Sequence, residues 1–120
     1  MVNLNIIVKI DLSANQEMEF SLEHYRNDKK LLAEVVAQLE KDIMLCGGEW
    51  TFIPVNYTVE ILVAETQRYF KSVSVIDKPL LMNLLYRIDV PQHMLELPDR
   101  ELTDMILKRE LMKVLFRNKY

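Results

Sequence analysis

The sequence has few of the residues on which many specialised small proteins depend. Its 120 residues include one cysteine, two glycines and four prolines. A single cysteine excludes an intramolecular disulfide and a cysteine-rich zinc site. So few glycines and prolines leave little material for tight turns, which disfavours a many-stranded β-sandwich and favours helices.

Long apolar runs and a strong charge excess are also missing. No run approaches the roughly 20 apolar residues that span a bilayer. The net charge of −3 does not indicate a protein that binds nucleic acids or membranes. The first residues carry no basic group before their short apolar stretch, so no signal peptide is expected. We therefore predict a cytoplasmic protein that does not bind membranes.

The residues that are present form the composition of a soluble globular domain. Half of them are apolar and 28% are charged, a composition typical of globular rather than disordered proteins. A chain of 120 residues can bury a core without disulfides or metals. We predict a single domain over residues 1–120.

Several segments carry helical signals. Residues 28–46 have an apolar arc at helical spacing, two candidate capping residues at Asn27 and Asp28, and a stop at Gly47-Gly48. Asp77-Lys78-Pro79 begins a helix that continues to about residue 88, and Leu97-Pro98-Asp99 opens a last helix that runs to about 117. Residues 57–70 share a helical face but also alternate as a strand would, and the absence of glycine and proline there favours the helix.

The β signals are weaker and concentrated near the N-terminus. Residues 4–12 are rich in β-branched side chains and partly alternate, which predicts a strand that residues 50–53 could pair with. Residues 16–25 fit either a short helix or an extended segment. The predicted fold is mainly α, a compact bundle of four or five helices with this minor β element. The alternative is an α+β domain in which residues 57–64 and 68–76 are strands.

The segment Arg87-Ile88-Asp89 interrupts an apolar run just before Val90-Pro91. A residue that precedes proline is pushed out of the α region, so the helix should end near residue 88 or 89. Positions 87 and 89 do not face each other on a helix, so each should find a partner elsewhere unless the turn folds back. A structural role is favoured over recognition of a carboxylate or phosphate by Arg87.

Catalytic motifs are not found in the sequence. It contains no P-loop, dinucleotide-binding turn, HExxH motif or nucleophile elbow. His24 and His93 have acidic neighbours, but their spacing is not that of a metal site. Cys46 lies in the apolar arc of its helix, which favours a buried, inert thiol over a nucleophile. We predict no catalytic residue, metal or cofactor.

The last helix has apolar residues on more than one side, which must be covered by the domain or by another chain. One stripe includes Leu107, Leu111 and Leu115, and a second includes Met105, Met112 and Phe116. We predict that Leu107, Leu111 and Leu115 contact a second protein chain, most simply a symmetric copy.

A row of cations on the same helix offers an alternative. Arg109, Lys113 and Arg117 are spaced by four residues and could bind anions, including phosphates. Positive charge near a helix C-terminus is also the usual complement of the helix dipole, which disfavours a nucleic-acid partner. The predicted function is therefore a small, non-catalytic protein-interaction module that binds a protein partner or forms a homo-oligomer. The alternatives are a nucleic-acid-associated protein and a small hydrolase or metal-dependent enzyme.

Overall fold

A computed structural model describes residues 21–50 and 58–119 of the chain. Most of this part lies in four α-helices: α1 (Lys29–Leu45), α2 (Val59–Ile76), α3 (Lys78–Ile88) and α4 (Asp99–Lys119). Short 3₁₀ helices cover Leu22–Tyr25, before α1, and Gln92–Glu96, between α3 and α4. The described residues contain no strand. The prediction of a mainly α bundle with four or five helices is confirmed.

The predicted β element lies largely outside the described residues. This applies to the strand at 4–12 and to residues 51–53, its proposed pairing partner. Trp50, the residue that precedes them, is buried in the core and is not part of a strand. Of the segment 16–25, only residues 21–25 are described, and Leu22–Tyr25 forms a single 3₁₀ turn.

Helix α1 begins and ends where its capping residues predict. The side chain of Asp28 accepts a hydrogen bond of 3.0 Å from the backbone N–H of Leu31, which satisfies one free donor of the first turn. After the helix, Gly47 has a φ of 90°, a left-handed conformation that glycine adopts without steric cost. The buried face consists of Leu31, Leu32, Val35, Val36, Leu39 and Ile43, together with the polar Gln38 and Asp42. The helix predicted over 28–46 is confirmed.

The ambiguous middle of the chain forms helix α2. Thr58 caps it by accepting a hydrogen bond of 3.1 Å from the backbone N–H of Ile61. The residues that share its helical face are buried: Val59, Leu62, Val63, Thr66, Phe70 and Val73. The alternative of two strands at 57–64 and 68–76 is wrong. Apolar residues spaced three or four positions apart lie on one buried face only in a helix.

Capping residues determine where helix α3 begins and ends. Asp77 caps its first turn, where Pro79 follows. Asp89 ends the helix with φ 72° and ψ 47°, and the N–H of Val90 then donates to the carbonyl of Leu85 at 2.8 Å. This pattern closes a helix C-terminus. The expected end near residues 88–89, before Pro91, is confirmed.

Helix α4 packs against each of the other three helices. Many of its apolar residues are therefore covered within the chain itself, although Phe116 is 45% exposed. Leu107 and Leu111 are fully buried in the core, whereas Leu115 is partly buried against it. The burial of Leu107 and Leu111 leaves these two side chains little surface for a second chain. The predicted interface at Leu107, Leu111 and Leu115 stays a prediction.

Candidate functional site

A carboxylate lies inside the interface between α1, α3 and α4. Asp42 of α1 is 1% exposed. Arg87, at the end of α3, donates from Nε to Asp42 Oδ1 at 3.0 Å, and Lys113 of α4 donates from Nζ to Oδ2 at 2.8 Å. Gln38, one turn earlier in α1, donates to Oδ1 at 3.2 Å. Burial alone would raise the pKa of Asp42, but hydrogen bonds, those of Glu110 and Lys113 foremost, hold it below its usual value.

Glu110 of α4 is the neutral member of this group. It is 0% exposed, and burial together with the hydrogen bond to Asp42 raises its pKa to about 9. An ionised Glu110 would have no well-aligned donor among the described residues, although Lys113 Nζ lies 3.3 Å from its Oε1. A protonated Glu110 instead donates its hydroxyl to Asp42. We call Gln38, Asp42, Arg87, Glu110 and Lys113 the polar cluster.

Arg87 and Asp89 find separate partners, as their spacing predicts. Arg87 binds Asp42 inside the polar cluster. Asp89 is exposed, and its Oδ2 lies 3.7 Å from Arg109 Nη1 on α4. The two charges therefore connect the end of α3 to two different helices. The expectation that they do not pair with each other is confirmed.

The predicted row of cations on α4 is engaged within the chain. Lys113 belongs to the polar cluster, and Arg109 lies beside Asp89. Arg117 donates from Nη1 to Gln38 Oε1 at 2.6 Å. The three cations thus face α1 and the end of α3 rather than forming an open stripe. Their predicted role in anion binding stays a prediction.

An open cleft exposes one side of the polar cluster. Its volume is about 880 Å³. Its walls come from α1, the end of α3, the turn that follows α3, and α4. The lining residues are Gln38, Lys41, Asp42, Leu85, Tyr86, Arg87, Asp89, Val90, Pro91, Gln92 and Lys113. Small-molecule sites commonly have volumes of roughly 300–1,000 Å³, so the cleft is large enough for such a ligand.

Cys46, which follows α1, is partly buried and packs against the core. Burial raises the pKa of its thiol, which lowers the fraction of reactive thiolate. We expect a disulfide reagent to modify Cys46 at least ~10-fold more slowly in the native protein than in denaturant at the same pH. The absorbance of the released thiol measures both rates. Equal rates would show an accessible thiol and would revive its role as a nucleophile.

The two histidines lie in separate 3₁₀ helices. His24 is exposed in Leu22–Tyr25, where its ring packs edge-on against Tyr25 at a centroid distance of 4.8 Å. His93 is exposed in Gln92–Glu96. Within residues 21–50 and 58–119, no group of three or more histidine, cysteine or acidic side chains is placed to hold a metal ion. In the same ranges, no helix has both the length and the apolar character that a membrane span requires.

Exposed apolar side chains occur at the C-terminal ends of both α1 and α2. A Cβ atom on Gly48, just after α1, would lie 2.8 Å from the hydroxyl of Tyr69 in α2 and 3.2 Å from Leu80 in α3. The pKa of Tyr69 is raised by burial and by the nearby Asp77, which joins α2 to α3. The ends of the two helices are therefore neighbours. The exposed residues there are Met44 (70%), Leu45 (59%), Val75 (82%) and Ile76 (79%); we call these four the apolar end.

Sequence reasoning did not identify the two central acids of the polar cluster. Both left a detectable signal, because each lies at a helical angle that otherwise belongs to apolar residues. Asp42 falls between Leu31 and Val35 on α1, and Glu110 falls between Ile106 and Val114 on α4. A charged residue inside an apolar arc requires a buried partner.

Comparisons with known protein families, with curated proteins and with solved structures find no match to this chain.

Proposed function

We propose that this protein is a non-catalytic interaction module that self-associates through its apolar end. The observation that carries the proposal is the exposure of Met44 and Leu45 at the end of α1 and of Val75 and Ile76 at the end of α2, each more than half exposed. Large exposed apolar patches on a folded domain commonly mark an interaction surface, and we propose that these four side chains form one. The proposal keeps the interaction role predicted from the sequence. It places the interface at the ends of α1 and α2 instead of at the leucines of α4.

The charges around the apolar end favour a second copy of the chain as the partner. Glu49 and Asp77 supply negative charge at this end, and Lys78 supplies positive charge, all on exposed side chains. A two-fold axis brings the same patch of two copies together, so an acid of one copy can face the base of the other. If all charged residues around the apolar end had the same sign, two copies of the surface would repel each other, whereas charges of both signs avoid this repulsion.

Self-association is tested by changing one residue of the apolar end. We expect the wild type to form dimers at high concentration and Ile76→Glu to remain a folded monomer, because the substitution places a charge in the interface without entering the core. Sedimentation equilibrium measures the mass, and thermal unfolding checks the fold. Ile61→Glu is the matched control, since Ile61 is also exposed on α2 but lies near the helix start; this variant should still form dimers.

Two results would contradict the proposal. A wild-type protein that sediments as a monomer at every concentration would exclude self-association. A dimer that Ile76→Glu and Ile61→Glu weaken equally would place the interface somewhere else. A heterologous protein partner would then have to be sought at another surface.

The two alternatives receive less support from the described geometry. A nucleic-acid role for Arg109, Lys113 and Arg117 would compete with the intrachain contacts of these cations, and it predicts binding that weakens steeply as salt rises. An enzymatic role would need a reactive group near His24 or His93, both of which are exposed in short 3₁₀ helices. Metal analysis of the purified protein tests the metal-dependent version.

A further inference from the structure

We infer that the cleft beside the polar cluster binds a small organic anion through a carboxylate or phosphate group. Lys41 and Arg87 supply the charged donors, and Tyr86 supplies an aromatic face. This site is separate from the apolar end and does not depend on self-association.

The local charge around the cleft is positive, although the chain as a whole has a net charge of −3. Lys41, Arg87 and Lys113 line the cleft, while Arg109 and Arg117 contact lining residues directly. The same lining carries two carboxyl side chains, Asp42 and Asp89. Burial, together with the nearby Asp42, raises the pKa of Glu110, the third acid of the region, to about 9, which favours its neutral form. The excess of cations leaves positive potential in the cleft, which an anion would neutralise.

Arg87 is both held in place and left with free donors. Its Nε is fixed on the buried Asp42 at 3.0 Å, while its side chain remains 41% exposed. Within the described part of the chain, its two terminal nitrogens form no hydrogen bond. A guanidinium can use these two nitrogens for a bidentate contact with a carboxylate or phosphate. Because the side chain is already ordered, less conformational entropy is lost when a ligand binds.

Lys113 and Lys41 have different roles in this arrangement. Lys113 Nζ donates to Asp42 and to the carbonyl of Arg87 and lies 3.3 Å from Glu110 Oε1, so its ammonium group is already engaged within the polar cluster. It contributes charge rather than a free donor. Lys41 is exposed, lines the cleft and sits on α1 next to Asp42. Its flexible ammonium group can reach an anion held by Arg87.

The apolar part of the lining sets the class of ligand. Leu85 and Val90 form a buried floor, and Pro91 lies beside them. Tyr86 is 88% exposed at the edge of the cleft, where its ring can stack on a flat group. A bare inorganic ion would use only the cations. A small organic acid with a planar apolar body would use both the cations and these walls.

The inference is tested by titrating the full chain with benzoate, inorganic phosphate and the neutral analogue benzamide. Amide chemical shifts in ¹H–¹⁵N NMR spectra report the site. We expect saturable binding of benzoate with a Kd of about 1 mM or below, with shifts at residues 85–92, and no binding of benzamide. Saturation by phosphate alone would assign the site to phosphate groups. Absence of saturation by either anion up to about 10 mM would overturn the inference.

Variants locate the binding within the cleft. Lys41→Glu should weaken anion binding at least ~10-fold and leave the fold intact, because Lys41 is exposed. Lys30→Glu makes the same charge change on an exposed position of α1 outside the cleft lining, so it should leave the affinity unchanged. Arg87→Gln tests the main donor, with its unfolding checked separately because Asp42 loses a partner. Equal weakening by Lys41→Glu and Lys30→Glu would show non-specific attraction and would overturn the site.

Discussion

Asp42→Ala is expected to destabilise the protein by about 1.5–3 kcal/mol, the usual contribution of hydrogen bonds to a charged group, because the partners left behind are partly exposed. Asp42 is 1% exposed and is contacted by Arg87 and Lys113. Without this carboxylate, Lys113 Nζ stays beside Glu110 with no ionised partner, so one of the two must change its protonation state or move to water. Denaturant unfolding at pH 7 measures the loss, which should appear as a lower midpoint with an unchanged slope.

The control for this experiment is Asp104→Ala. Asp104 forms an ion pair with Arg100 one turn away on α4, at 3.1 Å, but both side chains are more than half exposed. Exposed pairs of this kind contribute less than about 1 kcal/mol. A loss of less than about 1 kcal/mol for Asp42→Ala as well would mean that the polar cluster does not hold the three helices together.

Glu110→Gln is expected to stabilise the protein at neutral pH, by an amount that grows as the pH rises. Burial raises the pKa of Glu110 to about 9. Between its ordinary pKa and this value, the unfolded chain has released the proton while the folded chain keeps it. The folded state therefore binds more protons, and the free energy of unfolding falls with rising pH, by at most about 1.4 kcal/mol per pH unit. Glutamine stays neutral in both states and avoids this loss.

The stability difference between Glu110→Gln and the wild type should be measured at several pH values from 5 to 8.5. Glutamine has nearly the shape of the protonated acid, and its N–H₂ group can still donate to Asp42. Glu101→Gln, on an exposed position of the first turn of α4, is the matched control and should show a difference that varies little with pH. A difference for Glu110→Gln that does not grow with pH would mean that Glu110 is ionised in the folded protein.

The helices could be predicted because their signals are local. The caps at Asp28 and Asp77, the stop at Gly47 and the turn before Pro91 act through hydrogen bonds within a few residues. Residues 57–70 were ambiguous because both periods fit, and the long stretch without glycine or proline favoured the helix that extends to Ile76. Local hydrogen bonds therefore define where the helices begin and end, and the length of the segment without glycine or proline distinguishes helix from strand in α2.

The packing of α4 and the polar cluster could not be predicted in the same way. Two apolar stripes on one helix fit equally well with a central position in the bundle or with a second chain. The choice depends on where α1, α2 and α3 pack. Asp42 likewise binds Lys113, which is 71 positions away in the chain. The arc of α1 could indicate that Asp42 is buried, but its partners depend on the tertiary arrangement.

The polar cluster also determines which helices can open separately. Asp42, Arg87 and Lys113 come from α1, α3 and α4, while α2 contributes no member. Moving α1 away from α3 and α4 would separate the buried Asp42 from the charges of Arg87 and Lys113. Such an opening breaks ion pairs in addition to apolar contacts. We therefore expect α1, α3 and α4 to open together, whereas α2 packs against α3 and α4 without a member in the polar cluster.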